Sequence, residues 1–164
     1  MTSQAEGGAR TAGLDRRWRW GGVLLGVGLG AFFDGIVLHQ LLQWHHMVSS
    51  EYEPDTVRNL KINTLGDGLF HVGAAIFTVI GLLLLWSGTR GRHPVWPTSA
   101  LIGTLLFGWG LFNDIEGLVD HHLLQLHHVR PGPNQLAYDL GYLLWGAVML
   151  VIGWALMRNT RTKN

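Results

Sequence analysis

Long apolar stretches alternate with short polar segments along the whole chain. Four stretches contain no Asp, Glu, Lys or Arg, namely 20–33, 69–87, 95–112 and 140–157. Each approaches the ~20 apolar residues that a helix needs to cross a hydrocarbon core about 30 Å thick. The first and third become long enough only by continuing through acidic residues and histidines. The pattern predicts an all-α, multi-pass integral membrane protein, a four-helix bundle.

The polar ends of the first and third stretches are copies of one another. Residues 35–46 read GIVLHQLLQWHH and residues 117–128 read GLVDHHLLQLHH, which are identical at eight of twelve positions at an offset of 82. The following helices repeat at an offset of 72, which pairs Asp67 with Asp139. We therefore predict a tandem duplication of a two-helix unit, with the two copies related by a pseudo-two-fold axis along the membrane normal.

Basic residues mark one side of this predicted bundle. They cluster at 16–19, between the second and third stretches at 90–92, and after the fourth at 158–163. The positive-inside rule then places both termini in the cytoplasm. The predicted organisation is a disordered cytoplasmic tail at 1–17, two-helix repeats at 18–88 and 94–158, and a cytoplasmic tail at 159–164.

Composition removes several classes of function and binding site. The 12 Lys and Arg nearly balance the 11 Asp and Glu, which gives no basic footprint for nucleic acid. The absence of cysteine excludes disulfides, thiolate metal sites and covalently attached c-type haem. Gly22, Gly26 and Gly30 share one face of the first helix, which predicts a close helix–helix contact in lipid.

Ionisable side chains are concentrated at the extracytoplasmic end. Such groups are costly inside a membrane, and they persist where they pair, face a bundle interior or bind something. Eight of the nine histidines and five carboxylates fall there, and only His93 lies on the cytoplasmic side. The set is Asp34, His39, His45, His46, Asp67, His71, Glu116, Asp120, His121, His122, His127, His128 and Asp139.

Depth along ideal helices suggests which of these residues meet. If the first and third helices continue to His46 and His128, then His39 and His121 lie about 10 Å inside, at ~1.5 Å per residue. His71 reaches a similar depth on the second helix. We therefore predict that His39, His71 and His121 share one ion with Asp67 or Asp120. Further candidate ligands, including an outer cluster, are His45, His46, His122, His127, His128 and Asp139.

The donor set indicates a transition metal. Histidine with carboxylate and without thiolate suits zinc, iron or copper, and is compatible with manganese. Asp34 and Glu116 lie deeper in their helices and are predicted as proton carriers rather than ligands. A polar network that only holds the helices together is the structural alternative. The functional alternatives are a b-type haem between His39 and His121, and a proton or ion pathway.

The segments DGIVLHQLLQWHHM, DGLFH and EGLVDHHLLQLHHVR resemble a bacterial family of predicted membrane proteins, domain of unknown function 2243. The resemblance covers nearly the whole chain after the tail and implies a bacterial inner membrane location. Relatives fused to a membrane factor for cytochrome oxidase assembly imply copper or respiratory metal handling and that assembly machinery as a partner. The residues support a membrane metalloprotein, either an oxidoreductase or a metal-handling factor, and leave open whether it forms a homo-oligomer.

Overall fold

The fold is entirely helical in the part of the chain that the structure describes. A computed structural model of the protein describes residues 3–89 and 97–159, and these contain no strand. In chain order the elements are α1 (Ser3–Phe33), π1 (Asp34–Leu41), α2 (Val57–Thr89), α3 (Thr98–Glu116), π2 (Gly117–Leu123) and α4 (Gln135–Asn159). The prediction of an all-α chain with four long helices is confirmed.

Three of the helices are long and apolar enough to span a membrane. They contain the segments Arg16–Leu41, Val57–Thr89 and Gln135–Arg158. Helix α3, which has the polar residues Asn113 and Asp114 near its end, is not among the spans found in the described residues. The crossing by α3 therefore stays a prediction, as does the tail at 1–17, which overlaps the beginning of α1.

The charges used to predict orientation fall partly outside the described residues. Arg90, Arg92 and His93 lie between α2 and α3 in the segment that the structure does not describe, and Arg161 and Lys163 follow α4 in another. The cytoplasmic position of both termini is therefore carried forward as a proposal.

Helices α1 and α3 form the middle of the bundle. Helix α1 packs against α2 and α3, and α3 packs against α1 and α4. The apolar window of α1 is 56% buried, whereas the windows of α2 and α4 are only 11% and 17% buried. The outer helices therefore expose most of their apolar surface, as expected where lipid is the solvent.

Glycines bring the two central helices into close contact. A Cβ atom on Gly22 would overlap Thr104, one on Gly26 would overlap the backbone of Leu105, and one on Gly30 would lie 2.9 Å from Trp109. The predicted glycine face of α1 therefore lies directly on α3, and no larger side chain fits there without separating the two backbones.

Both central helices change geometry before they end. In π1 and π2 each backbone N–H donates to the carbonyl five residues earlier. Leu42 N–H donates to the Val37 carbonyl at 2.8 Å, and Leu124 N–H donates to the Val119 carbonyl at 2.7 Å. Gln43 and Gln125 follow at φ 50° and 52°, a left-handed conformation that is rare outside glycine and common at functional sites. The chain then folds back towards the bundle.

This fold-back corrects the helical geometry that the sequence suggested. The helices end at Leu41 and Leu123, so His45, His46, His127 and His128 lie in loops and not on helical faces. The prediction that α-helix continues to His46 and His128 is wrong. The physical reason is the π-helical widening and the left-handed glutamine, which neither a glycine nor a proline announces.

Candidate metal centre

Four histidines meet at the end of the bundle where the loops fold back. His39 and His121 come from π1 and π2, and His45 and His127 come from the following loops. The His45 and His127 rings stack, with their centroids 4.5 Å apart and an interplanar angle of 7°. The ring centroid of His39 lies 4.5 Å from that of His45, and the ring centroid of His121 lies 4.9 Å from that of His127. All four side chains are buried.

Two of these imidazoles have Nδ1 next to a buried carboxylate on a flanking helix. His39 Nδ1 lies 2.9 Å from Asp67 on α2, and His121 Nδ1 lies 3.6 Å from Asp139 on α4. Metal-binding histidines commonly donate their other N–H to a carboxylate or a carbonyl, which fixes the tautomer and the ring orientation. Asp67 and Asp139 were predicted as ligands. Asp67 has the geometry of a group that orients a ligand, whereas Asp139 is close to His121 Nδ1 but not at hydrogen-bond geometry.

The other two imidazoles are held by the loop of the opposite half. His45 Nδ1–H donates to the Val129 carbonyl at 2.8 Å, and His127 Nδ1–H donates to the Met47 carbonyl at 3.1 Å. The bond of His45 leaves its Nε2 with a lone pair, whereas His127 Nε2 also hydrogen-bonds Glu116 Oε1 at 2.8 Å. Burial lowers the pKa of the His45 imidazole, which favours the neutral form that binds metal.

Asp34 and Glu116 lie among the Nε2 atoms of these histidines. His39 Nε2 is 3.0 Å from Asp34 Oδ2, while His121 Nε2 and His127 Nε2 are 3.0 and 2.8 Å from Glu116 Oε1. The sequence assigned these two carboxylates to proton transfer, away from the ligands. In the structure they share one space with the imidazoles.

We refer to the six residues as the central cluster, with a first half and a second half. The first half is Asp34, His39 and His45, and the second half is Glu116, His121 and His127. Corresponding residues are 82 positions apart in the sequence.

Several buried atoms of the central cluster have no hydrogen-bond partner among the described residues. They are both oxygens of Asp34, Oε2 of Glu116, the Nε2 atoms of His39, His45 and His121, and Nδ1 of His121. His39 Nε2 and Asp34 are close but lack hydrogen-bond geometry. Leaving a buried polar group unsatisfied costs ~1–3 kcal/mol, and a cation between lone pairs would satisfy several of these atoms together.

Distances within the cluster fit metal coordination. The ligand atoms of His39, His45 and His127 lie within 4.8 Å of one another, and so do those of Glu116, His121 and His127. These two groups overlap at His127. Since His127 Nε2 has a single lone pair, the two groups together provide five donors for neighbouring ions, all of them buried.

His71 belongs to neither group, although the sequence placed it in the main site. Its Nδ1–H donates to the Asp67 carbonyl at 2.7 Å, and its ring packs against Gly35 and Phe32. The prediction for His71 was based on its depth along α2. Whether the side chain reaches the site depends instead on the direction in which it leaves the helix. The structure therefore does not bring His39, His71 and His121 together.

The remaining predicted residues lie around the cluster. His46 Nδ1 bonds Asp67 at 2.7 Å and His128 Nδ1 bonds Asp139 at 2.8 Å, which brings both close to His39 and His121 although they are seven residues away in sequence. Asp120 and His122 are half-buried and lie outside both ligand groups.

A polar cavity leads from the loops to the central cluster. Its volume is about 860 Å³, and His45, His46, Asp67 and His128 contribute to its lining. His45 also belongs to the cluster, so the cavity borders the cluster at the loop end of the bundle.

Tyr142 is the residue near the cluster that sequence reasoning missed. Its ring centroid is 5.4 Å from that of His121, and its buried hydroxyl has no hydrogen-bond partner among the described residues. The 72-residue offset that pairs Asp67 with Asp139 pairs Phe70 with Tyr142, and this pairing was the available sign.

Comparison with protein families gives one result that covers most of the chain. The model of a family described as "Predicted membrane protein (DUF2243)" matches residues 21–160. Searches of curated proteins and of solved structures return no match.

Proposed function

Since the chain belongs to the DUF2243 family of predicted membrane proteins, we propose that it is a membrane metalloprotein whose central cluster holds two transition-metal ions. The observation that carries the proposal is the set of buried Nε2 and carboxylate atoms that converge without hydrogen-bond partners. A hydrogen-bonded network alone would leave these atoms unsatisfied.

The donors support a limited set of metals. Imidazole and carboxylate without thiolate suit zinc, iron or copper(II). The six residues of the central cluster exceed the usual four positions of one tetrahedral ion. With three protein donors in each half, one ion in the first half and one in the second half each keep a position open. Open positions characterise catalytic rather than structural sites.

Two activities follow from different observations on this centre. Open positions support a metal-dependent oxidoreductase, in which the chain supplies ligands and excludes bulk water. The polar cavity beside His45 supports exchange of ions with the outside, and therefore a metal-handling factor for respiratory oxidase assembly. If the protein turns over a substrate while it holds its metal tightly, the oxidoreductase is favoured. If the protein releases its metal to an acceptor, the metal-handling factor is favoured.

The membrane setting is part of the proposal. Equivalent contacts in the two copies, such as His46 with Asp67 and His128 with Asp139, support a tandem duplication whose copies are parallel. The basic clusters support cytoplasmic termini and a centre that faces the outside of a bacterial inner membrane. A periplasmic reporter should then be active when it is fused after Ser50, and activity after Arg90 instead would reverse the orientation.

The geometry disfavours a b-type haem between His39 and His121. The stacked rings of His45 and His127 lie beside both, with His39–His127 and His45–His121 centroids at 5.7 and 6.2 Å. A macrocycle has no room among four imidazoles at these separations. Visible spectra of purified protein should accordingly lack a Soret band.

Metal content tests the proposal directly. Protein expressed with ample zinc, iron and copper, and purified in mild detergent, should contain about two ions per chain. The double variant Asp34→Asn with Glu116→Gln should lose most of them, because amides neither carry charge nor bridge cations well. A metal-free wild type would overturn the function and leave a structural polar network, and one ion per chain would overturn only the two-ion arrangement.

A further inference from the structure

The two halves of the central cluster have different aromatic neighbours. Phe70 on α2 stacks against His39 at 5.6 Å and 19°. Tyr142 on α4 lies against His121 at 5.4 Å and 52°. The residues are 72 positions apart, as Asp67 and Asp139 are. The second half therefore has a phenol hydroxyl where the first half has only a ring edge.

The Tyr142 hydroxyl is buried and lacks a protein partner at hydrogen-bond geometry. Glu116 interacts with this hydroxyl but not at hydrogen-bond geometry, and the Tyr142 ring lies against that of His121. The hydroxyl is therefore close to the ligands of the second half. Buried phenol groups almost always find a hydrogen-bond partner. A solute bound at the centre would supply that partner.

The coordination of the second half leaves a place for such a solute. Glu116, His121 and His127 provide three donors, and zinc-type ions with three protein ligands usually complete their coordination with water or substrate. Gly117 allows close approach of α4, since a Cβ there would lie 3.3 Å from the Tyr142 ring and 2.9 Å from Leu143. The hydroxyl is thereby held next to His121 and Glu116.

We propose that the second half binds a small anionic ligand at its open coordination position, and that Tyr142 donates a hydrogen bond to it. The proposal rests on the metal centre proposed above and adds a ligand class, a position and an asymmetry. The anion replaces a bound water, so no bond of the protein changes. In the first half Phe70 offers no donor, and anions should bind there more weakly.

Azide titration of the cobalt-substituted protein tests the proposal. Cobalt(II) reports its own coordination through visible absorption, and azide is a small anion that shifts the bands when it binds. Tyr142→Phe should weaken azide binding by about tenfold, the effect of losing one hydrogen bond to a charged group. Phenylalanine is the residue that the first half already carries at the equivalent position, so the substitution should not disturb packing.

Tyr138→Phe is the matched control. Tyr138 is also on α4, but its hydroxyl accepts a hydrogen bond from Arg130 at 2.9 Å, outside the central cluster. This variant should bind azide as the wild type does. Cobalt stoichiometry is measured for each protein before azide is added, so that loss of the site is distinguished from loss of the hydrogen bond.

The outcomes separate the two proposals. Unchanged azide affinity in Tyr142→Phe, at full cobalt loading, overturns the role of Tyr142 and leaves the metal centre standing. Loss of cobalt in Tyr142→Phe also overturns it, because the hydroxyl would then be needed for the ions themselves. Absence of cobalt from the wild type overturns the metal centre and this inference together.

Discussion

The two halves of the central cluster agree in their histidines and differ in the residues around them. His39 and His45 correspond to His121 and His127, and Asp67 corresponds to Asp139. In contrast, Leu38 and Phe70 are replaced in the second half by Asp120 and Tyr142, while His71 is replaced by Leu143. Each half keeps its two histidines, and the polar groups around them are placed differently.

The comparison also identifies which histidine is a packing residue. His71 and Leu143 correspond at the 72-residue offset, and both contact the equivalent glycines, Gly35 and Gly117. In the second half, Leu143 fills the equivalent position beside the glycine without a polar group. The imidazole of His71 is therefore not required by the shared geometry of the two halves.

The largest expected effect comes from the histidine that belongs to both ligand groups. His127→Ala should remove the ion of the second half and weaken binding in the first half, whereas His39→Ala should affect the first half alone, because only His127 occurs in both groups. Loss of ligand binding also removes folding energy, ~2.7 kcal/mol for an ion present at 100 times its Kd. Elemental analysis and the metal-dependent rise in Tm measure both. Unchanged affinity of the first half in His127→Ala would show that His127 does not serve both groups.

A smaller and unequal effect is expected from the orienting carboxylates. Asp67→Asn and Asp139→Asn should each weaken metal binding by about 10–100-fold, the usual cost of losing such a partner. Asp67 should matter more, since it is 2.9 Å from His39 whereas Asp139 is 3.6 Å from His121. Competition with a chelator of known affinity gives the Kd values. Equal losses, or a greater loss in Asp139→Asn, would contradict the distance argument.

The smallest effect is expected where the first half is made to resemble the second. His71→Leu should keep both ions and change the free energy of unfolding by only about 1 kcal/mol, because the lost hydrogen bond to the Asp67 carbonyl is offset by apolar packing. Metal content and denaturant unfolding in detergent check this. Loss of an ion would restore the interpretation that His39, His71 and His121 share one site.

Apolar periodicity and helix-interface glycines predicted much of the fold. The long apolar stretches confirmed as helices needed no tertiary information, because backbone groups in lipid must be satisfied within each helix. Gly26 was also informative, because glycines four residues apart on one helix face predict close packing against another helix. The repeat identified Asp34 and Glu116 as corresponding residues, but it did not predict that they lie among the imidazoles.

The sequence by itself determined the kinds of donors, their number and their repetition: histidines and carboxylates near one end, without cysteine, in two copies. Only the tertiary structure decided which donors meet. Sequence periodicity assumes about 100° per residue, whereas π1 and π2 have wider turns and left-handed Gln43 and Gln125 reverse the chain. His45 and His127 are therefore at the centre and His71 is beside it, because backbone geometry and not residue spacing sets the direction of each side chain.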